Sequence, residues 1–125
     1  MNRPSVLAIM MQKDEGCLLG AWIDYHKSLI GVKNIVVLDN NSTGGETQAI
    51  LESAASEGVD VRFGVGPFEM KGRIVSRVID ERRGEFAYFA PLDCDEFLCL
   101  DQGGVPTAKK QEFYTELGKY VGGWK

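Results

Sequence analysis

Apolar runs long enough to cross a membrane are absent from this sequence, since none approaches the roughly 18 residues that a membrane-spanning helix needs. The N-terminal apolar run, residues 5–11, is short, follows a single arginine and lacks a small-residue cleavage site. A secretory signal peptide would need a longer apolar region. We therefore interpret this run as a buried strand, and we expect a cytoplasmic protein without a transmembrane segment.

The sequence also has few cysteines and no excess of positive charge. The three cysteines are an odd number without a C-x-x-C pair, which argues against a disulfide framework and against a zinc site. The formal net charge of -4 argues against a nucleic-acid partner, because binding to a phosphate backbone needs a basic surface. A small anionic ligand is compatible with this charge if a metal ion and a few local cations neutralise it.

Strand and helix patterns alternate along the chain. Short apolar runs typical of buried strands occupy residues 5–11, 34–38, 59–65 and 85–92. Apolar residues at helical spacing follow the first three runs, with helix ends at Gly31 and Gly58 and a third helix at about residues 70–82. A weaker amphipathic stretch follows at residues 109–120. This alternation predicts one domain, residues 1–125, with a mostly parallel sheet in a three-layer α/β/α fold.

Polar clusters follow three of these predicted strands, at residues 12–15, 39–42 and 93–96. In open parallel sheets, ligands bind beyond the carboxyl ends of the strands, and these clusters fall at those ends. The sequence therefore predicts a polar binding edge that is built from loops distant in sequence.

The last cluster carries two aspartates, Asp93 and Asp95, with Glu96 directly after them. Carboxylates without His or Cys at ligand spacing favour a hard cation, Mg²⁺ or Mn²⁺. In an extended segment, residues i and i+2 point to the same side, so both aspartates are expected to face one ion while Cys94 points into the core. The alternative is a solvated acidic turn that caps the next element.

Several motifs in this chain occur in the same order in a known enzyme family. They are Lys13-Asp14-Glu15, Trp22, Tyr25-His26, Gly31-Val32, Asp39-Asn40-Asn41-Ser42 and Asp93-Cys94-Asp95-Glu96-Phe97. In these motifs the chain resembles the glycosyltransferase family 2 superfamily, in its branch with K-N-E, D-N-x-S and D-x-D-E-F. The resemblance implies a GT-A fold that binds a nucleoside-diphosphate sugar and transfers the sugar to a glycan, lipid or protein acceptor.

The resemblance also implies roles for individual residues. Glu15 and Asp39, with Asn40 in the same motif, would contact the nucleoside, with Asp39 at the base. Asp93 would lie near the ribose and the metal, and Asp95 would bind Mn²⁺ or Mg²⁺ on the diphosphate.

A basic segment precedes the last predicted strand, as it does in related enzymes. We predict Lys71, Arg73 and Arg77 as nucleotide-sugar-binding residues. For Arg73 and Arg77, a solvated helix face paired with neighbouring acids is the alternative. For Arg82 and Arg83, the solvated face is the preferred interpretation.

The aromatic motif residues have simpler expected roles. Trp22, Tyr25 and Phe97 are predicted to be core residues. His26, the only histidine, is predicted to pack against a neighbouring loop.

Three departures from the family pattern matter. Asp14 stands where the family usually has Asn. The acid that normally starts the second helix is absent, which leaves Thr43 or Glu46 to cap that helix. The chain also ends soon after the acidic motif, so we expect a truncated enzyme and assign no catalytic base. Glu112 and Glu116, the acids late in the chain, fit a solvated helix face.

Two other functions remain open at this level. One is a non-catalytic nucleotide-binding half-domain. The other is a metal-dependent phosphohydrolase of the haloacid dehalogenase type, although there the D-x-D motif lies on the earliest strand and its first acid is a nucleophile.

Overall fold

The structure is a computed structural model that describes residues 5–102 and 105–107. The elements are β1 (Val6–Gln12), α1 (Cys17–Ile30), β2 (Ile35–Asp39), α2 (Gly45–Glu57), β3 (Asp60–Phe63), α3 (Lys71–Arg82), β4 (Tyr88–Leu92), β5 (Leu100–Gln102) and β6 (Val105–Thr107). Single 3₁₀ turns at Val32–Asn34 and Phe68–Met70 precede β2 and α3. The predicted helix at residues 109–120, with Glu112 and Glu116, lies outside the described residues.

The first four strands form one sheet in the order β3-β2-β1-β4, and every pairing in it is parallel. β1 lies inside the sheet, where Ala8 pairs with Ile35 of β2 and Val6 pairs with Tyr88 of β4. The predicted α/β class with a parallel sheet is therefore confirmed. β5 and β6 form a separate antiparallel pair that the sequence patterns did not predict.

Two hydrophobic clusters cover the two faces of the sheet, because side chains alternate along each strand. Val6, Ala8 and Met10 of β1 pack in one cluster with α1 and α2 residues such as Trp22 and Leu51. The intervening β1 residues pack in the other cluster with α3; that cluster contains Leu7, Ile9, Met11, Val75 and Val78. The three predicted layers are thus present, with α1 and α2 on one face and α3 on the other.

Glycines end the first two helices, as predicted. Gly31 has φ 91° and follows α1, and Gly58 adopts the left-handed conformation after α2. Without a Cβ, glycine adopts these positive φ values at little cost. None of the helices in the described part of the chain is long and apolar enough to span a membrane.

Two strands are shorter than their apolar runs. β3 begins after Val59, whose amide donates to the Ala54 carbonyl and so belongs to the end of α2. β4 begins only at Tyr88, because the Ala87 and Tyr88 amides both donate to the Ser5 carbonyl at the start of the sheet.

Candidate functional site

The loops after β1, β2 and β4 begin side by side at the carboxyl edge of the sheet. Gln12 and Asp39 are register partners at the ends of β1 and β2, and Met10 of β1 pairs with Leu92 at the end of β4. The strand order reverses between β1 and β4, since β2 follows on one side of β1 and β4 lies on the other. In open parallel sheets, this reversal point is where a ligand crevice forms.

Asp39 connects two of these loops from a buried position. Gln12 Nε2 donates to Asp39 Oδ1 over 2.9 Å, and the Ser42 amide donates to Oδ2 over 3.1 Å. The Ser42 hydroxyl also donates to Oδ1. Asp39 is 3% exposed, so its carboxylate holds the loops together and offers almost no surface to a ligand. The role of Asp39 at a nucleoside base stays a prediction.

Asp14 connects the β1–α1 loop to the start of α2. Its Oδ1 accepts hydrogen bonds from the Thr43 amide at 2.9 Å and from the Gly44 amide at 2.7 Å. Its own amide donates to the Ser42 hydroxyl at 2.9 Å. The Gly44 hydrogen bond is the main reason why the pKa of Asp14 lies below its usual value. Asp14 also has φ 50°, a left-handed conformation that aspartate tolerates better than most residues.

The predicted cap of α2 was therefore wrong. The N-cap residue is Gly44, and no side-chain hydrogen bond caps the helix at this end. Asp14, from another loop, accepts from the Thr43 and Gly44 amides just before the helix, which local sequence could not indicate. Glu46 instead lies beside Gly16 at the start of α1, where a Cβ on Gly16 would stand 3.1 Å from Glu46 Oε1.

The acidic motif forms a turn directly after β4. The Glu96 amide donates to the Asp93 carbonyl at 2.9 Å, and Glu96 Oε1 accepts from the Asp93 amide at 2.7 Å. The extended geometry assumed for Asp93 and Asp95 was therefore wrong, because residues 93–96 form a turn. Cys94 is 6% exposed and lies in the core, as predicted.

The charges of Glu15, in the loop after β1, and of Asp95, in this turn, both act on Cys94. The pKa of the Cys94 thiol is raised to about 12, first by burial and then by the negative charges of Glu15 and Asp95. Both carboxylates are exposed, and neither has a hydrogen-bonding or ion-pair partner among the described residues. Two unpaired acids from different loops thus act electrostatically on the same buried thiol.

Lys71 brings a positive charge to the same turn. Its ammonium group forms an ion pair with Asp93, whose side chain is 60% exposed. Lys71 is the first residue of α3 and lies one helical turn before Val75, which faces the core. Its position on that face explains why it reaches the acidic turn.

Arg73 and Arg77 lie elsewhere on α3. They line a shallow depression, together with Gly72, Ser76 and Asp80, on the side of the helix away from Val75 and Val78. Neither guanidinium group has an ion-pair partner in the described part of the chain. The structure therefore brings Lys71 to the acidic turn but not these two arginines.

Arg82 and Arg83 have the solvated roles that were preferred for them. Arg82 pairs with Glu85 and Asp60, and its guanidinium carbon lies 5.2 Å from the centre of the Phe86 ring. Arg83 pairs with Asp80.

Three side chains of α1 hold the segment that follows the turn. Trp22 Nε1 donates to the Glu96 carbonyl at 2.8 Å, and the Tyr25 hydroxyl donates to the Leu98 carbonyl. The Leu98 amide donates to His26 Nε2 at 3.1 Å. These bonds join residues 72 to 74 positions apart and attach the acidic motif to the first helix.

The predictions for the aromatic residues are confirmed for Trp22 and His26 and wrong for Phe97. Trp22 and His26 are fully buried, and His26 packs against the loop as expected. Phe97 is 37% exposed, with its ring stacked on His26 at 5.7 Å and edge-on to Tyr25 at 5.0 Å. It covers the buried histidine from outside because its segment runs along the surface of α1. Tyr25 is only half-buried between them.

The acidic turn has the donor chemistry that a hard cation needs. Within the described residues, no three His, Cys, Asp or Glu side chains are grouped closely enough to hold a metal ion by themselves. Mg²⁺ is nevertheless commonly bound by one or two carboxylates when substrate phosphates and water supply the other oxygens. Asp93, Asp95 and Glu96 are exposed oxygen donors and fit that requirement.

No family model, curated protein or solved structure matches the chain. The resemblance to family 2 glycosyltransferases therefore stays a prediction from the motifs.

Proposed function

We propose that this chain binds a nucleoside-diphosphate sugar with a divalent cation at the carboxyl edge of its sheet. It would serve as the donor-binding part of a GT-A-type glycosyltransferase, which transfers the sugar to an acceptor. The observation that supports this most is the pair of unpaired carboxylates, Glu15 and Asp95. They come from the two loops that flank the reversal of strand order, the usual place of a nucleotide in such sheets.

In this proposal, the residues of the turn and of the loops beside it contact different parts of the ligand. Asp95 and Asp93 would hold Mn²⁺ or Mg²⁺, which offsets the negative charge on the leaving diphosphate. Lys71 contributes a second positive charge at Asp93 and so limits the repulsion between the acidic turn and an anionic ligand. Glu15 would contact the nucleoside from the opposite loop. The outward-facing Arg73 and Arg77 are not needed for these contacts.

Metal-dependent binding is the direct test of this proposal. UDP and GDP are added in turn to the whole chain, with and without Mn²⁺, and thermal unfolding is followed. At a nucleotide concentration 100 times the dissociation constant, binding should stabilise the chain by about 2.7 kcal/mol, and only when the metal is present.

The matched variants are Asp95→Ala and Asp24→Ala. Asp95 is exposed after the strand end, so Asp95→Ala should keep the fold, measured by circular dichroism, and lose the nucleotide-induced shift. Asp24 is an exposed α1 aspartate outside the site, and Asp24→Ala should keep the full shift. A shift that needs no metal, or an unfolded Asp95→Ala chain, would contradict the site assignment.

Turnover separates the enzyme from a binding module. Release of nucleoside diphosphate from a nucleotide sugar in the presence of Mn²⁺, by transfer or by hydrolysis, would support the transferase. Metal-dependent binding without any release would indicate a non-catalytic nucleotide-binding half-domain. Phosphate release from a simple phosphomonoester would instead favour the phosphohydrolase.

A further inference from the structure

The hydrogen-bond partners of His26 determine where its proton lies. The Trp22 carbonyl, 2.8 Å from Nδ1, can only accept, so Nδ1 must carry the hydrogen. The Leu98 amide, 3.1 Å from Nε2, can only donate, so Nε2 must be unprotonated. The structure is therefore compatible with one form of His26, the neutral ring with its hydrogen on Nδ1.

A second proton would break this arrangement. It would place an N–H on Nε2 directly opposite the Leu98 N–H, and two donors cannot form a hydrogen bond. The ring is fully buried, so the positive charge would also lack hydration. Burial is the main reason why the pKa of His26 is lowered, and the bond to the Trp22 carbonyl acts in the opposite direction.

Among the described residues, no carboxylate forms an ion pair with His26. On its own helix, Lys27 is paired with Asp24 and with Glu57 of α2. On the segment after β4, the Glu96 carboxylate is occupied by the Asp93 amide. The same segment carries Asp93, which is paired with Lys71, and the exposed Asp95. The other titratable groups of α1, of β4 and of that segment are phenols and thiols, namely Cys17, Tyr25, Tyr88, Cys94 and Cys99.

We propose that neutral His26 is a pH-sensitive positioning residue, whose protonation releases Leu98 and thereby loosens the acidic turn from α1. Trp22 and Tyr25 hold the same segment through hydrogen bonds that do not depend on the protonation of His26. The release itself follows from the geometry of His26. Its effect on cation and nucleotide-sugar binding rests on the proposed function.

The release is measured by NMR on the whole chain, without ligand, between pH 7.5 and 5.0. His26 is the only histidine, so its ring signals are unambiguous. We expect the His26 ring and the Leu98 amide to change together, with one midpoint below 6.5, the ordinary pKa of histidine. A Leu98 amide that does not respond while the ring titrates, or that responds at an unrelated midpoint, would overturn the proposal.

Amide exchange gives the size of the effect. Once the segment is released, His26 regains its ordinary pKa of 6.5. The protection factor of the Leu98 amide should therefore fall up to tenfold for each pH unit below 6.5, until the pKa of the held state is reached. The Gly44 amide, held by Asp14, is the internal control and should keep its protection over the same range.

Two variants separate titration from packing. Tyr25→Phe removes the bond to the Leu98 carbonyl but keeps the histidine, so the pH step should remain. His26→Phe removes the titrating group, so the step should disappear. If His26→Phe fails to fold, loss of the step in Tyr25→Phe would still count against the proposal.

Ligand binding is measured separately, with Mn²⁺ and UDP-glucose or GDP-mannose, whose phosphates do not titrate in this range. Affinity should fall several-fold from pH 7.5 to 5.5 in the unmodified chain, and less in His26→Phe. A coupled Leu98 response without nucleotide-sugar binding at any pH would reject the proposed function and support the release. Nucleotide-sugar binding without a coupled Leu98 response would support the proposed function and reject the release.

Discussion

The buried carboxylate of Asp39 allows a quantitative test of how the carboxyl edge is held together. Asp39→Ala removes the acceptor of three hydrogen bonds from Gln12 and Ser42. Gln12 is 1% exposed, so its amide nitrogen would be left buried without its partner, which costs about 1–3 kcal/mol. Ser42 is closer to the surface and can recruit water, so its two lost bonds add about 1–2 kcal/mol.

The expected total loss for Asp39→Ala is therefore about 2–5 kcal/mol, or about 8–19 °C in Tm for a chain of this size. Asp39→Asn keeps one acceptor oxygen and places an amide group opposite a donor, so it should lose about 1–3 kcal/mol. Urea denaturation followed by circular dichroism measures both, with exposed Asp24→Ala as the control, expected to change by less than about 0.5 kcal/mol.

Two outcomes would refute this reasoning. If Asp39→Ala is as stable as Asp24→Ala, the network does not support the loops. If Asp39→Ala keeps its stability but loses nucleotide binding, then Asp39 contacts the ligand directly, as the family resemblance implies.

Two further predictions follow from the described contacts. Asp14→Ala should lower Tm at neutral pH, because the start of α2 loses its acceptor, and Asp14→Asn should lower it less. Since the pKa of Asp14 is lowered on folding, its contribution is present above the unfolded value of 3.8 and is lost as the pH falls through the lower folded value. The Tm difference between the original chain and Asp14→Ala should therefore shrink at strongly acid pH. A constant difference would show that the ionised carboxylate does not stabilise the loop before α2. Arg82→Ala should lower the free energy of unfolding by about 1 kcal/mol in urea denaturation, because Arg82 contacts two acids and an aromatic ring. Arg77→Ala is the control and should change it by less than about 0.5 kcal/mol. Equal losses in the two variants would show that the ion pairs of Arg82 add nothing to stability.

The layered fold could be predicted because its signals are local. Six of the seven residues of β1 are apolar, as expected of a strand covered on both faces, and the structure buries all seven. Gly31 and Gly58 end their helices because no side chain restricts their φ angles. Each of these features depends on a residue and its near neighbours in sequence.

The details of the site could not be predicted in the same way. Asp14 binds the Thr43 and Gly44 amides, about thirty positions later and just before α2, and His26 accepts from an amide 72 positions away. Such pairs depend on how the loops meet at the sheet edge, which periodicity does not encode. The orientation of Lys71, in contrast, could have been predicted from the sequence. Its spacing of four residues from Val75 places it on the buried face of α3.

The strand order also has a consequence for the time course of folding. Contacts between the ends of β1 and β2 join residues 27 apart, whereas contacts between the start of β1 and β4 join residues 82 apart. Closing the longer loop costs about 1 kcal/mol more chain entropy. The β1–β3 portion can therefore assemble first, and the strand bearing the acidic turn should dock last. The part of the molecule assigned here to ligand binding would then be the last to be completed during folding.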